Sequence, residues 1–391
     1  MLAEKSIEQR RVAVLERGRA DVLLERLGLD TQVLELELDL LVDGQDTVRQ
    51  EAAEPERLTL FEREGELLGQ QPRPEQRRPG EADPCRSTGR DVVERGGQGT
   101  HGVSIVAGMD PLPAGFRWPD GIRAAAMFTF DVDAEAVMLT DHPETADYLD
   151  VMAHQRYGPM VAVPRLLRML DRLQLRTTFF VPGWVAETWP DVARSIRDAG
   201  HEIGHHGYLH ESVRGKDEAT EEGYLLRGLE ALDGVLGIRP VGYRPPSCDM
   251  NYRTPALVAK HGFVYESGLM DAEHPYRHAS GLIELPMSWS LDDWNRYNYV
   301  PGYASSPILR PSEVVDAWGE ELDAIVEIGG LFDLTMHPFI SGRPARAAAL
   351  ETLIRRAQSM DGVWVAAADE IAAWVAGLDL PPVTPHQPPR F

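Results

Sequence analysis

Phe128-Thr129-Phe130-Asp131-Val132-Asp133-Ala134-Glu135 is an apolar run that stops abruptly in acids. A continuous apolar stretch suits a strand buried on both faces, and carboxylates at its end would stand at the strand's C-terminal tip. Asp131 and Asp133 are two apart, so on extended backbone they point to the same side. A second stretch matches that tip: Gly200-His201-Glu202-Ile203-Gly204-His205-His206-Gly207-Tyr208-Leu209-His210 holds four histidines in eleven residues. One turn of backbone, or a tight loop led by Gly207, can aim His206 and His210 at one point. Two neutral imidazoles and one carboxylate, with a fourth position left to water, form the usual set for a catalytic zinc-like ion. A histidine-rich surface turn, or a structural metal site closed to water, has the same spacing.

From Met109 onward the chain alternates strand and helix. Val163, Leu166, Leu167, Leu170 and Leu173 recur at helical spacing and lead into the β-rich Thr177-Thr178-Phe179-Phe180-Val181. Val185, Trp189, Val192 and Ile196 mark another helix, stopped by Gly200. Further strands are expected at 201–205, 241–244, 263–266, 282–285, 331–336 and 363–365, and helices around Leu225 to Leu236, at 255–261, 313–328, 345–359 and 369–375. About seven alternations predict an α/β fold, a distorted (β/α)7-type barrel with parallel strands. Asp131, Asp133, His205, His206, Arg244 and His337 each fall at or just past the end of an apolar run. In a parallel barrel such ends share one face, so these groups would converge there.

Composition narrows the partners. The net charge of −23 over 391 residues, with no Lys/Arg-rich block, excludes a nucleic-acid footprint and disfavours an anionic membrane surface. No apolar window is long enough to predict a membrane span. The first residues, Met1 to Arg11, lack the apolar core of a secretion signal, so a cytoplasmic protein is expected. Cys85 and Cys248 lack the spacing of a disulfide framework or structural metal site and read as free thiols. Residues 1–108 hold one aromatic of the Phe/Tyr/Trp class, Phe61, and 70–99 is dense in Gln, Arg, Glu, Pro and Gly. That composition predicts a poorly structured extension, or a start placed upstream of translation beginning near Met109. The expected division is therefore 1–108 extension, 109–380 catalytic barrel and 381–391 Pro-rich tail, the tail a loose end or a subunit strap.

Taken in order, Thr129-Phe130-Asp131-Val132-Asp133, His206-Gly207-Tyr208-Leu209-His210, Arg244-Pro245-Pro246, Asp293-Trp294 and Leu334-Thr335-Met336-His337 resemble the five motifs of the polysaccharide deacetylase family, also called the NodB-homology or carbohydrate esterase 4 family. The resemblance runs from about Pro111 to Ala376. More narrowly, the sequence is similar to an intracellular branch with cyclic imide hydrolases, cofactor-free allantoinases and Helicobacter-type peptidoglycan deacetylases, which tends to carry Asp-x-Asp where secreted relatives carry Asp-Asp.

The resemblance implies one divalent metal, usually zinc with cobalt, manganese or nickel as alternatives, held by Asp133, His206 and His210. It further implies Asp131 as general base, Arg244 as the base's partner and His337 as general acid. Trp294, Pro246 and Ser247 would border the substrate, with the Ser247 N–H as an oxyanion donor. His205 reads as a support behind the metal and His201 as structural, while Glu135, Glu202 and Asp293 are candidates for orienting histidines. The implied activity is hydrolysis of non-peptide carbon–nitrogen bonds, N-deacetylation of a small or oligosaccharide amide. The alternatives are a cytosolic cyclic imide or ureide amidohydrolase and an inactive carbohydrate-binding relative. A homo-oligomer, a tetramer in that branch, is implied by resemblance alone.

Overall fold

The computed structural model describes residues 112–389. The expectations for residues 1–108 lie outside that span. Ten described strands form one sheet: β1 (Ala124–Asp131), β2 (Thr178–Val181), β3 (Glu202–His205), β4 (Gly242–Tyr243), β5 (Tyr265–Glu266), β6 (Tyr276–His278), β7 (Ile283–Glu284), β10 (Leu331–Met336), β11 (Val363–Val365) and β12 (Pro382–Val383). The remaining two, β8 (Tyr299–Val300) and β9 (Ala304–Ser305), pair as a hairpin. The main sheet runs β10-β1-β2-β3-β4-β5-β7-β6-β12, with β11 against β1. Its first seven strands are parallel neighbours, matching the expected alternation.

β6 is the departure, an antiparallel hairpin partner of β7 with no helix before it. A three-residue strand carries no readable period, so nothing in the sequence marks it. The Pro-rich tail is likewise not loose where described: β12 pairs with β6 in parallel, and Tyr252 Oη donates to the His386 carbonyl. The sheet curls, and irregular chain rather than a strand meets the free edge of β10. Leu331 N donates to Glu273 O, Asp293 N donates to Thr335 O, and Asp292 bridges Thr335. That closure brings residues 287–294 to the strand tips.

Alternation along β1 sorts its side chains. Ala124, Ala126, Phe128 and Phe130 join the large cluster under the helices, while Ala125 and Met127 join a second cluster with Phe180, Tyr265, Ile283 and Leu285. Thr129 and Asp131 continue the second face, which is how polar groups reach the interior. The helix Glu218–Leu236 seats tightly against the histidine loop: a Cβ on Gly228 would lie 2.3 Å from His205 Nε2 and 2.6 Å from Gly207 O. Any larger residue there would push on the chain carrying His206.

Glu202 starts β3, at the end away from that loop. Its Oε1 accepts from Tyr265 Oη at 2.8 Å, and its Oε2 from Thr178 Oγ1 at 2.5 Å and Asp369 N at 3.0 Å. It therefore orients no histidine. Burial first, and Asp369 second, push its carboxyl from 4.5 up to about 7. A raised folded value means the protonated form is preferred in the fold, so this stabilisation is complete below pH 4.5 and is lost as pH rises through 7. The loss amounts to about 3 kcal/mol. Glu202→Gln, a neutral isostere, should flatten that segment of the stability–pH curve. Thermal melts at pH 5 and pH 8 check this, and an equal drop in both proteins would remove Glu202 as its source.

Candidate functional site

Asp131 ends β1, and Asp133 follows two residues on, where Ala134 takes a positive φ of 48° and the chain turns into the helix Ala136–Asp141. His206 to His210 follow β3 as a loop rather than a helical turn. Gly207 has φ 72°, and a Cβ there would lie 2.9 Å from Pro246 Cγ, so the turn requires glycine on two counts. Glu211 Oε2 accepts from the Tyr208 and Leu209 amides and ties the loop back.

These two tips meet. Asp133 Oδ1 lies 3.4 Å from His206 Nε2, and its Oδ2 lies 3.7 Å from His210 Nε2 and 3.5 Å from His337 Nε2. One ligand atom from each of Asp133, His206 and His210 falls within 4.8 Å of the others. Asp133 is fully buried, yet neither carboxylate oxygen has a hydrogen-bond partner among the described residues. Burial raises its pKa, but His210, His206 and His337 outweigh that and hold it well below the usual carboxylate range. His206 Nδ1 pairs with the Arg244 carbonyl at 2.8 Å. A proton on Nδ1 leaves the Nε2 lone pair facing Asp133. A buried carboxylate with two unpartnered oxygens, facing two imidazole nitrogens, fits a divalent cation.

Asp131 is held from behind. Arg244 is fully buried and lies over the Phe180 ring. Its Nη1 donates to Asp131 Oδ1 at 3.0 Å and Thr129 Oγ1 at 2.7 Å, and its Nη2 to Asp333 Oδ2 at 2.8 Å and Ser267 Oγ at 2.9 Å. Asp333 is absent from the sequence-derived site: a lone acid inside Leu331–Met336 reads only as a blemish in an apolar strand. Burial pushes its carboxyl up to about 6, against the pull of Arg244. Beneath Ser267, Glu266 and Glu284 face each other on β5 and β7, and His278 Nε2 lies 3.2 and 3.1 Å from them. Burial and then Glu284 raise the Glu266 pKa. Glu284 Oε1 in turn accepts from the Gly268 and Leu269 amides and fixes the segment that Arg244 grips.

His337 follows β10. Its Nδ1 lies 2.7 Å from Asp293 Oδ1, and its N–H donates to Asp293 Oδ2 at 3.0 Å. Burial opposes charge on His337, but Asp293, Asp133 and Asp292 outweigh it and push its pKa up to about 10. A cation on Asp133 would cancel that carboxylate's share and bring the value down. Of the proposed orienting acids, Asp293 alone contacts a site histidine, because Glu135 accepts from Trp189 Nε1 instead. His205 supports the loop, contacting Leu225 O at 3.0 Å and accepting from Gly207 N. His201 accepts from Thr177 N, consistent with its structural reading.

All of these tips open into a cavity of about 290 Å³. Asp131, Asp133, His206, His210 and His337 line it, as do Trp294 and Ser247, whereas Arg244 stays behind the wall. Pro245 rather than Pro246 faces the cavity; Pro246 is buried against Gly207. Ser247 and Cys248 adopt positive φ of 55° and 56°, so this wall is a strained turn. Cys248 is a free thiol, and Cys85 lies outside the described residues. Asp292, Trp289, Asn295, Asp141 and Val137 also line it and escaped the sequence reading. No described helix is long and apolar enough to cross a membrane.

Comparison with known proteins gives the same frame. A family model described as polysaccharide deacetylase matches residues 157–265. A solved structure from Mycobacterium smegmatis assigned to the polysaccharide deacetylases is 50% identical, covers 72% of this chain and 100% of its own, and superposes with a TM-score of 0.70. Another from Pseudomonas aeruginosa, also assigned as a polysaccharide deacetylase, is 26% identical with a TM-score of 0.58, covering 66% of this chain and 92% of its own. The peptidoglycan deacetylase of Helicobacter pylori is 29% identical over 60% of this chain and 90% of its own length.

Proposed function

The chain belongs to the polysaccharide deacetylase family, hydrolases of carbon–nitrogen amide bonds, and from that premise we propose that it removes the acetyl group from an N-acetylated amino sugar at a metal site of Asp133, His206 and His210. The observation that carries the reading is the pair of unpartnered, buried Asp133 oxygens facing two imidazoles, beside a carboxylate that Arg244 holds by one oxygen only. A divalent ion bound there, zinc by its donor set, supplies a Lewis acid that polarises the amide carbonyl and acidifies water.

The chain's own residues do the rest. Asp131 accepts from Arg244 at Oδ1, which fixes its orientation and leaves Oδ2 to take the proton of the attacking water. His337 keeps its Nδ1 proton on Asp293 and gives the Nε2 proton to the leaving nitrogen as the C–N bond breaks. Amide and water thus become acetate and amine. Ser247 stands at the wall where the carbonyl oxygen would develop charge, and Trp294, with its ring centroid 5.3 Å from that of His337, borders the leaving group. The likeness to a peptidoglycan deacetylase over most of that protein favours an amino-sugar acetamide over a ring imide or ureide.

Asp131→Asn tests the assignment. It keeps shape and leaves the metal ligands in place, so metal content should stay near one ion per chain while kcat on N-acetylglucosamine oligomers drops roughly 10²- to 10⁴-fold. Unchanged hydrolysis at full metal content would mean that Asp131 is not the base.

A further inference from the structure

Asp292 lines the cavity but has no part in the proposed chemistry. Its Oδ1 accepts from Trp294 N at 2.7 Å and lies 3.8 Å from His337 Nδ1, while its Oδ2 has no hydrogen-bond partner among the described residues. The backbone is pinned as well, through the bridge from Asp292 to Thr335 and the Asp293 N–H on the Thr335 carbonyl. The carboxyl is therefore rigid, 8% exposed, and placed beside the group that would protonate the leaving nitrogen. Among the described lining residues there is no lysine or arginine, whereas four are aspartates. Among these, Asp133 belongs to the proposed metal set, and Asp131 is paired from behind with Arg244.

We propose that Asp292 is a specificity-determining residue. Its free oxygen accepts a hydrogen bond from a substrate hydroxyl or N–H next to the scissile amide, so that the pocket selects uncharged polar amides and rejects carboxylate-bearing ones. The inference rests on the site reading given above, and it names the charge class of the substrate. Burial, first, and Asp293 push this carboxyl up to about 7 against the pull of His337, so pH 8 is where its acceptor form prevails. A buried acceptor is left unpaired by an analogue without the donor, and a second anion beside it is repelled.

The test uses full-length, zinc-loaded protein at pH 8 and two matched pairs: chitotetraose with its C6-carboxylate counterpart, and succinimide with its ring-carboxylated analogue. Asp292→Asn keeps an acceptor for Trp294 N–H, and Asp292→Ser offers a hydroxyl for it, so at least one folded variant is available. In either variant the preference for the neutral member, as a ratio of kcat/KM, should fall roughly 10- to 100-fold, with KM moving more than kcat. A purely structural role would lower both members alike, and an unchanged ratio overturns the proposal. If the wild-type chain turns over neither pair, the deacetylase reading has failed separately, and calorimetric binding of the same four compounds decides. Preference in the wild type that is lost in the variant supports Asp292; equal preference in both, or none in the wild type, overturns it.

Discussion

Asp133→Ala is expected to empty the cation site: metal content should fall from about one ion per chain to under about a tenth, since two histidines remain of a three-residue set. Amide hydrolysis should fall with it by at least about three decades, because several kcal/mol of transition-state stabilisation come from a bound Lewis acid and each decade is about 1.4 kcal/mol. Stability offers an independent reading. Zinc at about a hundred times its dissociation constant adds about 2.7 kcal/mol to a protein that binds it only when folded. Zinc should therefore raise the melting temperature of the wild type by roughly 5–10 °C and leave that of Asp133→Ala unmoved. A variant that keeps a stoichiometric ion and its hydrolysis would place the reactive centre elsewhere.

The second large effect belongs to Arg244→Met. Arg244 is wholly buried and donates to two carboxylates, two hydroxyls and, from Nε, the Ser267 carbonyl at 3.3 Å. Methionine fills much of the volume but strands Asp131 and Asp333 as uncompensated acids. Breaking such a pair from one side costs about 3–5 kcal/mol, or roughly 6–20 °C in melting temperature. Arg244→Lys should recover little, because a point charge cannot span a fork that reaches Asp131 on one side and Asp333 on the other. The double variant Arg244→Met with Asp333→Leu removes one stranded acid and should regain part of the stability while hydrolysis stays low. Were Arg244→Met to melt with the wild type, the network would not be what holds the strand tips together.

The parts legible from the sequence were those with a local signature. The end of β1 was readable, because a strand buried on both faces is a continuous apolar run and its acids mark the end. β10 was readable for the same reason, and Asp333 was lost in it for the same reason: one acid within six residues does not change the pattern. The His206 to His210 spacing was plain, although loop and helical turn were equally open until Gly207 was seen against Pro246. Glu202 and Glu135 illustrate the converse. Each lies close in sequence to a site residue, and each is spent on another partner, Tyr265 and Thr178 for one and Trp189 for the other.

Local pattern sets the alternation of strand and helix and which residue types stand at the strand tips, since burial period and turn chemistry are properties of neighbours along the chain. Which tips meet is a matter of three-dimensional packing. Arg244 reaches Asp131 across 113 positions and Asp333 across 89, and Asp293 reaches His337 across 44. The same holds for the wall of the cavity, where Asp292 arrives because irregular chain, not a strand, closes the sheet at β10. Such meetings depend on sheet order and register, which short strands of two residues do not encode in their own composition.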